Sequence, residues 1–247
     1  MKKSNNKLLV CKGINNAISI LGSARFNIEY IDILREGRAI NDEKIKTYLK
    51  TFNITILGKE QFYKKYPDSR TQGVVIGFKG KLIENNLPDF DNEKDICLLA
   101  LDQIEDPQNF GQIIRTAECA GINGIIFPKH HSAPITESVL QVSQGAFVNM
   151  PLYEVTNLNH EIVQLKKSEF WIIGLENSIN AKPWYEVEFS GKTVIVVGSE
   201  GRGIRHKVLK SCDFIATIPM QGKTNSLNVS ATVSAVAFER IRQLQKG

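Results

Sequence analysis

From residue 96 onward the chain alternates short apolar runs with amphipathic stretches, and that alternation leaves few folds open. ICLLALDQI (96–104), GIIFP (124–128), PLYEV (151–155), FWIIGLE (170–176), TVIVVG (193–198) and FIATIP (214–219) read as strands. Between them, PQNFGQIIRTAECAG (107–121), ITESVLQVSQGA (135–146), HEIVQLKKS (160–168), RHKVLKSC (205–212) and a last stretch from about Asn228 to Gln245 read as helices. Short apolar strands separated by helices predict an α/β fold, a parallel sheet covered by helices on both faces. Ligands of such sheets bind at the carboxyl ends of the strands.

The charge is divided unevenly along the chain. Residues 1–81 hold 16 Lys+Arg against 7 Asp+Glu, so the remainder of this 247-residue chain, with its total of +5, is net acidic. A basic first domain points to a polyanionic partner, and nucleic acid is the natural one. Its pattern is helix 13–23, strand 29–34, helix 41–52 capped by Asn41, strand 54–58, helix 59–66 stopped by Pro67, and strand 73–78, an α/β/α sandwich. The polar, acidic, Pro-containing stretch LIENNLPDFDNEKD reads as a linker. The expected division is a domain at 1–81, a linker at 82–94 and a second domain at 95–247.

Several classes fall away. No window approaches the roughly 18 apolar residues that a membrane span needs, and the start has no sustained apolar segment, so no membrane partner is expected. Cys11, Cys97, Cys119 and Cys212 are scattered without C-x-x-C and read as reduced, buried thiols of a cytosolic protein. His130, His131, His160 and His206 show no ligand spacing, so no metal is expected.

Three segments carry chemistry. In LDQIEDPQNFGQIIRTAECAG (101–121), Asp106 is a good N-cap and Pro107 suits the first helical position. Phe110, Ile113, Ile114, Ala117 and Gly121 make the packing stripe, which leaves Asn109 at the strand mouths; Arg115 and Glu118 are spaced for a surface ion pair. In TVIVVGSEGRGIRHKVLKSCD (193–213) a strand runs into Gly198-Ser199-Glu200-Gly201-Arg202-Gly203, where glycines permit close backbone approach; the spacing is not the dinucleotide G-x-G-x-x-G. In IPMQGKTNSLNVSATVSAVAFERIR (218–242) a polar loop leads through Leu227 and Asn228 into a helix with Val229, Val233, Val236, Ala237, Ile241 and Leu244 on one stripe. Its Ala231, Ser234 and Ala235 let another backbone pack close.

D-P-x-N-x-G-x-I-x-R-T-A-x-x-A-G, then V-G-S-E-G-x-G, then I-P-M-x-G-x-x-x-S-L-N-V-S-x-A, in this order over residues 96–245, resemble the three motifs of the SpoU (TrmH) branch of the SPOUT methyltransferases. The basic domain ending in TQGVVIGF (71–78) resembles the amino-terminal, L30e-like substrate domain of the family's 23S ribosomal RNA guanosine 2′-O-methyltransferases, with Thr71 where that pattern has His.

The resemblance implies a SPOUT catalytic domain with a carboxy-terminal trefoil knot, acting in the cytoplasm as a homodimer. It implies transfer of a methyl group from S-adenosylmethionine to a ribose 2′-hydroxyl of RNA. The cofactor residues would be Gly198, Glu200, Gly201, Ile218, Met220, Leu227 and Asn228. Arg115 would be the central catalytic residue, with Asn109, Glu200, Ser226 and Asn228 orienting it and the ribose. A guanidinium stays protonated at neutral pH, so a cation gripping RNA phosphate and stabilising alkoxide charge is preferred to a general base. The same chemistry on transfer RNA is the nearest alternative, and an RNA-binding module with an inactive catalytic half is the alternative of a different class.

Overall fold

The computed structural model describes residues 7–67, 69–90, 93–178 and 181–245. Contacts divide them into two units: residues up to Leu82 together with Ile135–Val148, and Ile83–Pro134 together with the chain from Asn149 on.

The first unit is built on a four-stranded sheet of order β1-β4-β2-β3, formed by β1 (Leu9–Lys12), β2 (Phe26–Leu34), β3 (Thr55–Leu57) and β4 (Val74–Gly80). β4 pairs antiparallel with β1 and β2, while β3 runs parallel to β2. The central strand is the most apolar: Val74, Val75, Ile76 and Phe78 are fully buried. Helices α1 (Ile14–Leu21), α2 (Glu43–Leu49) and α3 (Lys59–Lys65) accompany it. The cap of α2 is Asp42, whose Oδ1 accepts from the backbone of Lys44 at 3.0 Å and Ile45 at 3.1 Å. Asn41, the expected cap, instead ends a 3-10 turn at Ala39–Asn41.

Inside this unit the Thr71-Gln72-Gly73 corner is structural. Gln72 adopts φ 51° and its Oε1 accepts from Ile14 N at 2.9 Å, capping α1, which has no cap side chain of its own. Gly73 has φ 82° and lies against the backbone of Gly37, where a Cβ would crowd the chain. Thr71 is 1% exposed and its hydroxyl accepts from Gly73 N.

Helix α5 (Glu137–Ser143), expected over 135–146 as cover for the parallel sheet, packs in the first unit instead. Its Glu137 accepts from Val10 N at 2.8 Å, and its Gln141 accepts from Lys12 N and donates to Lys12 O, so α5 pairs with the free edge of β1. The sheet edge needs hydrogen-bond partners, and a helix with acceptors four residues apart supplies them.

The second unit is a seven-stranded sheet, parallel throughout, of order β7-β6-β5-β10-β8-β11-β9. Its strands are β5 (Ile96–Asp102), β6 (Gly124–Pro128), β7 (Leu152–Val155), β8 (Trp171–Leu175), β9 (Lys182–Pro183), β10 (Lys192–Gly198) and β11 (Phe214–Thr217). The two-residue β9 gave no sequence signal. On β5 the residues Ile96, Leu98 and Ala100 join a core with α6 (Leu158–Lys167) and α7 (His206–Leu209). Cys97, Leu99 and Leu101 therefore face the other side, where the buried stripes of α4 (Pro107–Cys119) and α8 (Val229–Leu244) lie. Both faces are covered, as the sequence predicts.

Differences are local. Gly121, placed on the α4 stripe, is exposed at φ 66° just past the helix end, a position open to glycine. On α8, Ile241 is half-buried and Leu244 is 40% exposed, while Glu239 and Arg240 are buried, the latter paired with Asp95 at 2.8 Å. The expected linker is not free-running: Glu84 N donates to Leu152 O at 2.7 Å, and Leu87 and Phe90 pack on the core of the second unit. Asp91 and Asn92 of that linker, and residues 1–6, 246 and 247 of the expected domains, lie outside the described residues.

Cys11 and Cys97 are buried and Cys212 half-buried, but Cys119 is exposed at the end of α4, against expectation. Burial pushes the Cys11 thiol up to about 12 and the Cys97 thiol up to about 11. No helix among the described residues is long and apolar enough to cross a membrane.

The observed cap of α2 gives a direct check. Asp42→Ala should lower stability by about 1 kcal/mol, whereas Asn41→Ala should stay within roughly 0.5 kcal/mol of the parent; urea unfolding of the full chain measures both.

Candidate active site

At the carboxyl ends of β8, β10 and β11 the sheet opens into a cleft of about 300 Å³. Strand β10 delivers the loop Gly198–Gly203, which folds back on itself: Gly203 N donates to Ser199 O at 2.9 Å. A Cβ on Gly198 would overlap the carbonyl of Gly203, so this turn requires glycine on steric grounds alone. A Cβ on Gly203, at φ 66°, would meet the Glu176 carboxylate at 2.6 Å. Glu176, at the end of β8, accepts from Ile204 N at 2.9 Å and so holds the far end of the loop.

The next residue fixes the loop to the sheet. Arg205 donates to Asp102, the last residue of β5, from its backbone N at 2.8 Å and from its guanidinium at 2.7 Å. Asp102 is fully buried, so loss of the arginine would strand a carboxylate in the interior at a cost on the order of 3 kcal/mol.

The three chemistry-bearing segments meet at one carboxylate. Glu200 Oε1 accepts from Asn109 Nδ2 at 3.1 Å and from Asn228 Nδ2 at 2.6 Å, and Asn228 Nδ2 also reaches Asn109 Oδ1 at 2.9 Å. Each amide is held from its own helix. Asp106 caps α4 through Gln108 N and Asn109 N, as the sequence predicts, and Asn228 caps α8 through Ser230 N at 2.8 Å. Ser230 Oγ lies 2.7 Å from Gln112 Oε1, which ties the two helix starts together.

Of the expected cofactor residues, Gly198, Glu200, Gly201, Ile218, Met220 and Leu227 line the cleft. Asn228 does not line it; its amide is spent on the network at the rim. Ser226 lines it beside Asn225 and Leu227. Sequence reasoning missed Leu175, Glu176 and Asn177, which follow an apolar run without a motif; their place at the end of β8, next to β10, was the available signal.

Arg115 stands apart. It lies on α4 six residues beyond Asn109, about 9 Å along the axis, is exposed, and is not among the cleft residues. Among the described residues it makes no hydrogen bond or ion pair, so the surface pair with Glu118 does not form; Glu118 accepts from Asn149 instead. Among the described residues no three His, Cys, Asp or Glu side chains are grouped to hold a metal.

Gly198→Ala tests the backbone crossing. The added methyl should destabilise the chain by roughly 3 kcal/mol and remove ligand binding in the cleft, whereas Gly222→Ala, in open space, should leave thermal stability unchanged.

Comparisons with known proteins bear on the family of the chain. Residues 97–238 match the model of the SpoU rRNA Methylase family. A TrmH family tRNA/rRNA methyltransferase of Staphylococcus aureus (strain COL) is 41% identical over 148 residues, 60% of this chain and 59% of that protein. The 23S rRNA (guanosine-2'-O-)-methyltransferase RlmB of Pseudomonas aeruginosa is 40% identical over 146 residues, 59% of this chain and 58% of that protein. The matched stretch thus spans less than two thirds of either relative's own length. The SpoU methyltransferase AviRb of Streptomyces viridochromogenes, solved with AdoMet, shares the fold at TM-score 0.77 and 19% identity over 97% of this chain and 91% of that one. The TrmH/SpoU tRNA modifying enzyme of A. aeolicus has TM-score 0.57 at 26% identity, over 67% of this chain and 79% of that one. With more than half of its length inside the family match, this chain belongs to the SpoU rRNA methylase family.

Proposed function

We propose that the protein is an S-adenosylmethionine-dependent RNA methyltransferase that modifies a ribose 2′-hydroxyl, and that its target is a guanosine of 23S ribosomal RNA in the cytoplasm. The observation that carries the reading is the convergence of Asn109, Glu200 and Asn228 beside a cleft lined by the glycines of the Gly198–Gly203 loop and by apolar side chains. A binding-only protein has no need of that costly polar arrangement.

The cleft suits the cofactor. Val197, Ala216, Ile218, Leu227 and Val229 provide apolar walls for a flat base, the glycine loop exposes backbone amides, and Glu176 and Glu200 are carboxylates for a cationic group. When bound, S-adenosylmethionine supplies a methyl group on a positively charged sulfur. The protein contributes position: the Asn109–Glu200–Asn228 network fixes the rim where the ribose enters, and alignment of two reactants accounts for much of such catalysis. The same reading takes the segment around Gly198–Asn228 as a trefoil knot and takes the basic first unit as an L30e-like RNA-binding domain.

Arg115 acts in this reading as the cation for RNA phosphate, in a homodimer. α4 packs on α8, with Thr116 Oγ1 3.2 Å from Ser234 Oγ, and α8 leaves Phe238 51% and Leu244 40% exposed. An exposed apolar pair on a helix beside Arg115 fits a two-fold contact. Thr71, where the family pattern has His, is buried and bonded to its own loop, so the departure gives no support to transfer RNA over ribosomal RNA.

The test is transfer of labelled methyl onto total RNA from cells that lack the protein, followed by mapping. One 2′-O-methylguanosine in 23S ribosomal RNA is expected; label confined to transfer RNA would move the assignment there, and no label on any RNA would end it. Arg115→Ala should lower turnover at least 100-fold with cofactor affinity unchanged by calorimetry, and Arg115→Lys, which lacks the planar fork, should stay badly impaired. Phe238→Asp should shift the sedimentation coefficient from dimer to folded monomer and abolish methylation; an active dimer would refute the α8 interface.

A further inference from the structure

A second, smaller cleft of about 200 Å³ lies on the other side of Glu200, lined by Gln103, Glu105, Asp106, Asn109, Arg202 and the wall residues Ser199, Glu200 and Val229. Those last three also line the larger cleft, so the two cavities share a wall. Its volume lies below the roughly 300–1,000 Å³ of a site for a whole drug-sized ligand, which suits a single nucleobase with its sugar at the opening.

The polar groups of this cleft are mostly committed. Asp106 spends both carboxylate oxygens on Gln108 N and Asn109 N, and Asn109 and Glu200 spend theirs on each other and on Asn228. Beside the Gln103 side-chain amide, three groups are left to meet a ligand. Glu105 is 57% exposed, with the His131 imidazole 3.8 Å from its carboxylate. Arg202 lies on the glycine loop. The Ser199 hydroxyl is buried without a hydrogen-bond partner, a state that calls for a ligand or water.

The mouth of the cleft is held in place by backbone. Gln103 at φ 64° and His131 at φ 60° are non-glycine residues in the left-handed region, and the two loops are joined by Ala133 N donating to Ile104 O at 2.8 Å. Such strain gathers where a site must be fixed in advance.

An exposed carboxylate is unexpected in a cleft that takes a polyanion, because it repels phosphate. It is useful toward hydrogen-bond donors, and on a base edge those donors are N–H groups. Guanine is the one RNA base whose Watson–Crick edge offers two adjacent donors, N1–H and N2–H, matching the two oxygens of a carboxylate. Adenine and cytosine set an acceptor beside their donor, and uracil has one donor between two carbonyls.

We propose that this smaller cleft holds the base of the target nucleotide and that Glu105 selects guanine by accepting from N1–H and N2–H, with Arg202 toward the flanking phosphate and Ser199 toward the ribose. The inference rests on the methyltransferase reading above and adds to it the residue that sets base specificity. For the reaction the base leaves its helical stack, since neither groove of a paired helix lets an enclosed pocket surround one base.

The test uses the full-length protein and synthetic RNA carrying, at the mapped nucleotide, either guanosine or inosine, which lacks the N2 amine. The parent enzyme should methylate inosine about 10- to 100-fold less efficiently than guanosine. Glu105→Ala should lower kcat/KM on guanosine by a similar factor and bring the two substrates to near-equal rates, with cofactor affinity by calorimetry unchanged. A merely structural role would lower both rates and keep their ratio. A variant that keeps the parent's guanosine-to-inosine ratio, or a parent enzyme whose methylated product is adenosine or a pyrimidine nucleoside, would overturn the inference and leave the methyltransferase reading standing. Failure of the parent to methylate any RNA would remove both.

Discussion

One carboxylate oxygen, Oε1 of Glu200, organises the site. Two side-chain amides from separate helices, Asn109 and Asn228, donate to it. Both come from the first turns of α4 and α8, helices of 13 and 16 residues. Two positive helix ends and two amide donors therefore converge on one anion, which is the arrangement that electrostatics favours. Glu200 is exposed, so solvent screening holds each of these hydrogen bonds to roughly 0.5–1 kcal/mol. Because the three residues come from positions 109, 200 and 228, the network also fixes the register of a loop and two helices that have no contact along the sequence.

The loop that presents Glu200 is possible because two glycines let backbone pass against backbone. Gly198 and Gly203 bring the loop's ends together, Glu176 holds Ile204 N, and Asp102 holds Arg205. These anchors come from the ends of β10, β8 and β5, neighbours in the sheet order. The parallel sheet thus serves as the frame and the strand ends as fixed points, while the cleft beside them is lined by apolar side chains such as Val197, Ala216 and Ile218 together with polar ones such as Glu176 and Glu200.

The two units differ in how their motifs work. In the second unit, motif residues such as Asn109, Glu200 and Leu227 face the clefts, while Arg115 is exposed outside them. In the first, the Thr71-Gln72-Gly73 corner is turned inward: Gln72 caps α1, Gly73 touches Gly37, and Thr71 is buried. That corner is a device of folding. Asp32 shows the same economy, a buried carboxylate accepting from Tyr66 at 2.6 Å and from Lys65 at 2.6 Å; burial and that bond to Asp32 push the Tyr66 hydroxyl above the usual tyrosine range.

What the sequence determined by itself was local or periodic. The apolar runs named nine of the eleven strands among the described residues, all but β1 and β9, Asp106 and Asn228 marked the starts of α4 and α8, and three motifs marked Asn109, Glu200 and Asn228, because capping, amphipathicity and steric demands on glycine are written in neighbouring residues. What only the tertiary structure decided was partnership across the chain. Helix α5 left the parallel sheet for the edge of β1 because β1 had unpaired backbone groups that Glu137 and Gln141 could satisfy. Glu176 became a cleft residue because β8 lies beside β10, and Arg115 came out exposed because the helix turn that points Asn109 inward carries position 115 to the outside. Contacts between residues tens of positions apart follow from strand order and helix packing, and no short stretch of sequence contains that order.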